Sequence, residues 1–246
     1  MSILFCHQQD SYATLCDLRG TVDHVITDPP YSEYVQARLL AGKKKSGAAD
    51  AYVREVTAGF DPLAGFTFVP HLVACAKRWT LIFSAVEDLG FYQAADPTHW
   101  VRSGIYCKMR AMPQMTGDRP GNRCEGIAIF HAPGRKAWNG GGTHAFWTAM
   151  PENRKFTLHP TAKPLMLCMR LVEQFTHPQE LVFDPFCGTG NIGLACQALG
   201  RSYIGMDNGT NVDLNKRYVE LAKERLAAFD ADAALKKYAL YKERKW

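Results

Sequence analysis

Short apolar runs, separated by stretches dense in glycine, proline and charge, recur along the whole chain, and their periods sort them into strands and helices. In "VDHVIT" (22–27) Val22, His24 and Ile26 alternate with Asp23, Val25 and Thr27, mostly short or β-branched residues that predict a buried strand. Pairing has to stop at Pro29 and Pro30, which cannot donate to a ladder, so Asp28 and Tyr31 are held at a rigid strand end. "WTLIFSA" (79–85), "GIYCKM" (104–109) and "EGIAIFH" (125–131) predict three further strands. From Pro164 the period changes, and Leu165, Met169, Val172 and Phe175 mark a helix. Strand 180–186, helix 191–200 closed by Gly200, and strand 201–207 then form a βαβ unit. An amphipathic helix is expected from Lys216 to Phe229, followed by a poorly ordered basic tail over 230–246. Residues 32–66 suggest a short helix and a mobile loop, and "GRKAWNGGGTHAFW" irregular surface structure.

These elements predict an α/β protein of Rossmann-like type: a mixed, mostly parallel sheet with helices on both faces, in one domain spanning 1–246. Composition agrees, since 246 residues with 47% hydrophobic and 22% charged can bury a sizeable core. No apolar run approaches a membrane span and "ILF" near the start is too short for a signal-peptide core, so a cytoplasmic protein without membrane contact is expected. The eight cysteines are scattered without paired metal spacing, which argues against zinc or a disulfide framework and for small core residues. A net charge of +5 permits an acidic partner without demanding one.

"LVFDPFCGTGNIG" carries the first chemical signal. Gly188, Gly190 and Gly193 form G-x-G-x-x-G between a strand and a helix, and Asp207 ends the next strand, 19 residues after Gly188. Glycines there let a ligand approach the backbone, and an acid at the second strand end can accept from both ribose hydroxyls. A dinucleotide pyrophosphate would want the helix N-terminus clear of negative charge, yet Asp184 stands just before the turn. A carboxylate there suits a cationic ligand such as S-adenosylmethionine, which favours methyl transfer over hydride transfer. A nicotinamide-dependent oxidoreductase would explain the glycines and Asp207 but leaves "DPPY" and Asp184 without a role.

"FDPFCGTG" resembles the cofactor motif, "TDPPY" the catalytic motif and "HPTAKP" (159–164) the segment preceding the cofactor strand of β-class DNA amino-methyltransferases. The catalytic motif is N-terminal and the cofactor motif C-terminal, the circularly permuted order of that class. "MPQMTGDRPG" and "WNGGG" resemble its small, phage-type members. The resemblance implies that Asp28 and the Pro29 carbonyl, stiffened by Pro30, accept from the target amine while Tyr31 stacks on the base. It implies that Asp184, Phe186, Gly188, Gly190 and Asp207 hold S-adenosylmethionine, with Asp10 near the adenine and Thr161 and Lys163 closing the pocket. "NGTNVDLN" after Asp207 is longer than usual and leaves the adenine side open.

The chemistry is consistent with that likeness. An exocyclic amine has a lone pair delocalised into its ring, so an enzyme has to accept its protons and align it with the methyl carbon, without cysteine nucleophile or metal. A base in a duplex has to be flipped out and stacked on an aromatic ring to reach such a clamp. Double-stranded DNA is therefore the expected partner. Lys43, Lys44, Lys45, Arg119, Arg123, Arg135, Lys136 and Trp138 are its expected contacts, with 110–158 as target-recognition loops. The likeness also implies a homodimer and a place in restriction-modification. Adenine is favoured over cytosine as target because an acid, not a serine, precedes Pro-Pro-Tyr. A DNA-binding relative that has lost activity is the remaining reading, and the intact Asp28, Tyr31 and glycines argue against it.

Overall fold

A computed structural model describes residues 2–6, 17–32, 66–111, 117–118, 120–152, 158, 161–211 and 214–243. Its centre is an eight-stranded sheet of β1 (Ile3–Cys6), β2 (His24–Thr27), β3 (Trp79–Ser84), β4 (Trp100–Lys108), β5 (Cys124–His131), β6 (Phe146–Ala149), β7 (Leu181–Asp184) and β8 (Ser202–Met206). The spatial order is β1-β8-β7-β2-β3-β5-β4-β6. The first five strands of that row run parallel, β5 pairs antiparallel with both β3 and β4, and β6 returns parallel to β4. A two-stranded ribbon, β9 (Thr210–Asn211) and β10 (Lys216–Arg217), follows β8. The helices are α1 (Val69–Cys75), α2 (Leu89–Ala95), α3 (Leu165–Phe175), α4 (Asn191–Leu199), α5 (Tyr218–Ala227) and α6 (Ala231–Glu243).

Alternate residues of the central strands feed two cores, because successive side chains of a strand point to opposite faces. Ile26, Leu81, Phe83 and Val182 pack with α3 and α4 residues such as Leu167, Val172 and Ile192. Val25, Ile82 and Phe183 pack on the other face with Val69, Leu72 and Tyr92 from α1 and α2. The sheet is therefore covered on both faces, which is why its middle strands are buried throughout. The chain leaves β7 through α4 toward β8, and leaves β2 through α1 toward β3, in opposite directions along the sheet. The carboxyl ends of β2 and β7 thus flank a topological switch point, where open α/β sheets form their ligand crevice.

Three expectations are corrected. The tail beyond Phe229 is not unstructured through its length: α6 fills residues 231–243, with Tyr238 only 1% exposed and bonded through its hydroxyl to Glu173 Oε2 at 2.6 Å. Ala234 and Tyr238 lie one turn apart and bury one stripe against α3 and α4, while the lysines face water. "AFW" inside the segment expected to be irregular enters β6, whose Trp147 is buried and donates to Gln174 Oε1 at 2.7 Å. The helix expected from Lys216 begins two residues later, after β10. The proposed loop over 32–66 lies, apart from its ends, outside the described residues. Among the described cysteines Cys75, Cys168, Cys187 and Cys196 are buried and unbridged, as expected of small core residues. No described helix is long and apolar enough to cross a membrane.

Candidate active site

The two motif strands lie side by side, with His24 opposite Val182 and Val25 opposite Phe183, so their acidic ends emerge into one crevice. Thr27 Oγ1 donates to Asp184 Oδ1 at 2.7 Å and ties the end of β2 to the end of β7. Asp184 also accepts from the Phe186 N–H at 3.3 Å and from the Tyr203 hydroxyl at 3.2 Å. Expected to face a ligand, it is only 1% exposed and acts as a brace between three neighbouring strands. Burial raises its pKa to about 7 against the pull of those three donors, with Asp207 adding repulsion.

The glycine turn follows directly. Gly188 (φ +50°) and Gly190 (φ +84°) are left-handed, and Gly190 caps the start of α4. A Cβ on Gly193 would stand 2.7 Å from the Tyr203 ring, so the third glycine sets how closely α4 lies on β8. Asp207, half-exposed at the end of β8, accepts from the Gly188 N–H at 2.8 Å and from the Gly209 N–H at 2.7 Å. Each oxygen thus holds the turn through one hydrogen bond. Phe186 is half-buried beside the turn.

At the end of β2, Asp28 is 22% exposed while its Oδ1 is buried without a hydrogen-bond partner among the described residues. Its Oδ2 accepts from Lys163 Nζ at 2.5 Å. Lys163 also reaches the Tyr31 hydroxyl at 3.4 Å and Glu125 Oε2 at 3.3 Å, and Glu125 pairs with Lys108 at 2.5 Å. Burial pushes the Asp28 carboxyl above its ordinary value, Lys163 opposing and Glu125 reinforcing. Burial works against the Lys163 charge, but Asp28 and Glu125 outweigh it and raise its pKa. For Glu125 the two lysines outweigh burial and lower it. The next residue of the loop, Ser32, donates through its hydroxyl to Asp88 Oδ1 at 2.9 Å, which fixes the loop to the short 3-10 turn Val86–Asp88.

The expected site residues therefore divide. Asp28, Pro29, Pro30, Tyr31, Asp184, Phe186, Gly188, Gly190 and Asp207 lie along the two adjoining strand ends and the turn after β8. Lys163, expected to close the cofactor pocket, has its ammonium on Asp28, while its backbone carbonyl accepts from Asn191 Nδ2 at 2.6 Å at the start of α4. Thr161 is exposed in the same loop. Arg135 and Lys136 are exposed between β5 and β6. Arg123, also exposed, folds back on the Lys108 and Met109 carbonyls at 2.9 and 3.4 Å. Trp138 does not project as a wedge: its ring packs edge-on to Phe175 at 4.8 Å and its Nε1 donates to the Gly141 carbonyl at 2.8 Å. Asp10, Lys43, Lys44, Lys45 and Arg119 lie outside the described residues. Sequence reasoning passed over Glu125, Lys108 and Asp88; the one available sign was an acid, Glu125, opening an otherwise apolar strand. Among the described residues no acid, cysteine and histidine cluster could hold a metal ion.

Comparison with known proteins shows what the arrangement is similar to. A family model described as DNA methylase matches residues 134–224. The chain is 31% identical over 159 residues to the type II methyltransferase M.XycI of Xanthomonas campestris pv. cyanopsidis, a match covering 60% of this chain and 48% of that one. It thus spans about half the length of that curated relative. Among solved structures, the M1.HpyAVI–SAM complex superposes with a TM-score of 0.65 at 20% identity, covering 91% of this chain and 100% of the other. The PvuII DNA methyltransferase, described as cytosine-N4-specific, gives a TM-score of 0.65 at 13% identity over 97% and 92%. The fold is thus the Rossmann-like fold of the S-adenosylmethionine-dependent methyltransferases, and the segment from residue 134 to 224 is similar to the DNA methylase family.

Proposed function

We propose that the chain transfers a methyl group from S-adenosylmethionine to the exocyclic 6-amino group of adenine in double-stranded DNA. The observation that carries this reading is Asp28, whose Oδ1 is a buried acceptor without a partner among the described residues, at the end of a strand adjoining the glycine turn. Such an acceptor is costly unless a donor reaches it, and a base amine supplies that donor.

The residues present fit the cofactor. Asp207 is the acceptor for the ribose hydroxyls beside the turn it holds, and the left-handed Gly188 and Gly190 keep that turn open to a ligand. When bound, the cofactor supplies an electrophilic methyl group on a sulfonium. Asp184 keeps β2 and β7 in register beneath it through Thr27, so the distance between the acceptor and the turn is fixed by the sheet. Asp28 and the Pro29 carbonyl accept hydrogen bonds from the two amine N–H groups and hold the nitrogen lone pair toward the methyl group; one proton leaves the nitrogen after it is methylated. Tyr31 stacks on the flipped base. The tyrosine stays a neutral phenol because burial pushes its pKa well up, with Glu125 and Asp28 adding to it.

A carboxylate is a stronger acceptor than a hydroxyl, and this supports adenine as the target. Incubation with labelled S-adenosylmethionine and duplex DNA, followed by digestion to nucleosides and mass spectrometry, tests both parts. N6-methyl-2′-deoxyadenosine is the expected product. Finding only the N4-methylcytosine nucleoside would overturn the choice of base, and no labelled nucleoside at all would overturn the activity.

A further inference from the structure

The methyl-transfer reading leaves one buried cation without a task. Lys163 is 7% exposed, comes from the loop between β6 and α3, and places its ammonium in the amine site itself, 2.5 Å from Asp28 Oδ2 and 3.4 Å from the Tyr31 hydroxyl. The Phe83 ring closes under it at 5.1 Å. On the far side stands Glu125 at 3.3 Å, and behind that Lys108, 2.5 Å from Glu125. Charges alternate along this line, and each member comes from a different element: the end of β2, the loop before α3, β5 and β4. A charge taken out of water persists only where paired, so no member can be neutralised without disturbing the next.

The arrangement matters because Asp28 has two oxygens with different surroundings. Lys163 occupies Oδ2 and leaves Oδ1 facing no other described donor. A protonated carboxyl would present a donor where the target amine needs an acceptor. We propose that Lys163 is a positioning residue for the clamp: its ammonium keeps Asp28 charged and turned so that Oδ1 meets the target amine, and Glu125 anchors that ammonium from the opposite side. This rests on the amino-methyltransferase reading and adds the device that keeps its acceptor usable.

The groups facing Asp28 are Lys163 from the loop before α3, Glu125 from β5, Lys108 from β4, Tyr31 from its own loop, Tyr92 from α2 and Cys168 from α3. Burial drives the two phenols and the thiol to stay neutral. Burial acts most strongly on Asp28, against its charge, and among the charged neighbours Lys163 favours the carboxylate while Glu125 disfavours it.

The test is kcat/KM for DNA methylation between about pH 5 and 9 for the wild type, Lys163→Met and Glu125→Gln. Methionine keeps the apolar stem and removes the charge, so the acid limb moves up by roughly 1 to 3 pH units, and activity lost near neutrality returns on the alkaline side. Glu125→Gln removes a like charge, so its limb moves down or stays where the wild type has it. Calorimetry with S-adenosylmethionine shows that each variant is folded. The role of Lys163 is overturned if Lys163→Met loses activity equally at every pH or keeps the wild-type acid limb. A wild type that binds S-adenosylmethionine and methylates no DNA refutes the amino-methyltransferase reading instead. Should Lys163→Met fail to fold, Lys163→Gln, neutral and polar, is read in the same way.

Discussion

Asp184→Asn will stabilise this protein above neutral pH and leave it almost unchanged in acid. The Asp184 carboxyl is 1% exposed, and its pKa stands at about 7 against an ordinary 3.8. The folded state therefore keeps a proton that the unfolded chain releases between about pH 4 and 7, so this group's contribution to stability is greatest below about pH 4 and is lost as pH rises through 7. Ionising it inside the fold costs on the order of 4 kcal/mol relative to the unfolded chain. Asparagine has nearly the same shape and does not titrate. Its carbonyl can still accept from Thr27 and the Phe186 N–H, and its amide can donate to the Tyr203 hydroxyl, which accepts as readily as it donates. Urea unfolding of both proteins at about pH 4.5 and 8 reads the difference. At a slope of about 2 to 3 kcal/mol/M the midpoint of Asp184→Asn should lie roughly 1 to 2 M above wild type at the higher pH and near it at the lower. A gap equal at both pH values, or a less stable variant at pH 8, would refute the buried-acid reasoning.

Three further outcomes are expected. Asp207→Ala should weaken S-adenosylmethionine binding by about 1.5 to 3 kcal/mol, roughly ten- to 150-fold in Kd, and unchanged affinity by calorimetry would remove the ribose assignment. Gly193→Ala puts a methyl 2.7 Å from the Tyr203 ring and should cost about 1 to 3 kcal/mol, read as a lower thermal midpoint; an unchanged midpoint would mean α4 is free to shift. Changing Lys43, Lys44 and Lys45 together to alanine should reduce DNA affinity and flatten its salt dependence, because each lost phosphate contact releases fewer counterions; an unchanged slope would make the cluster a solvated face.

What the sequence disclosed, and what it did not, follows from the range of the interactions. The strand ending in Asp28, the glycine turn and Asp207 were legible because each depends on neighbours within a few residues: prolines that end a strand, glycines that open a turn, an acid at the next strand end. The role of Asp184 as a brace was not, because Thr27 donates to it from 157 residues away and only the pairing of β2 with β7 brings them together. Glu125 and Lys108 were missed for the same reason: they reach the site only because β5 lies against β3 and β4 against β5. Trp138 in its glycine-rich setting suggested a wedge at DNA, whereas Phe175, 37 residues further along, takes the ring into the edge of the core. The last helix was hidden by its lysines, which mark one face, while Ala234 and Tyr238 bury the other.

The central claim is that Asp28 accepts the target amine and does not hold the cofactor. Single-turnover methyl transfer to duplex DNA by Asp28→Ala, beside wild type with both proteins loaded to the same measured occupancy by S-adenosylmethionine, tests it most directly. Transfer abolished at unchanged occupancy is the predicted result; transfer at a near wild-type rate would contradict the clamp.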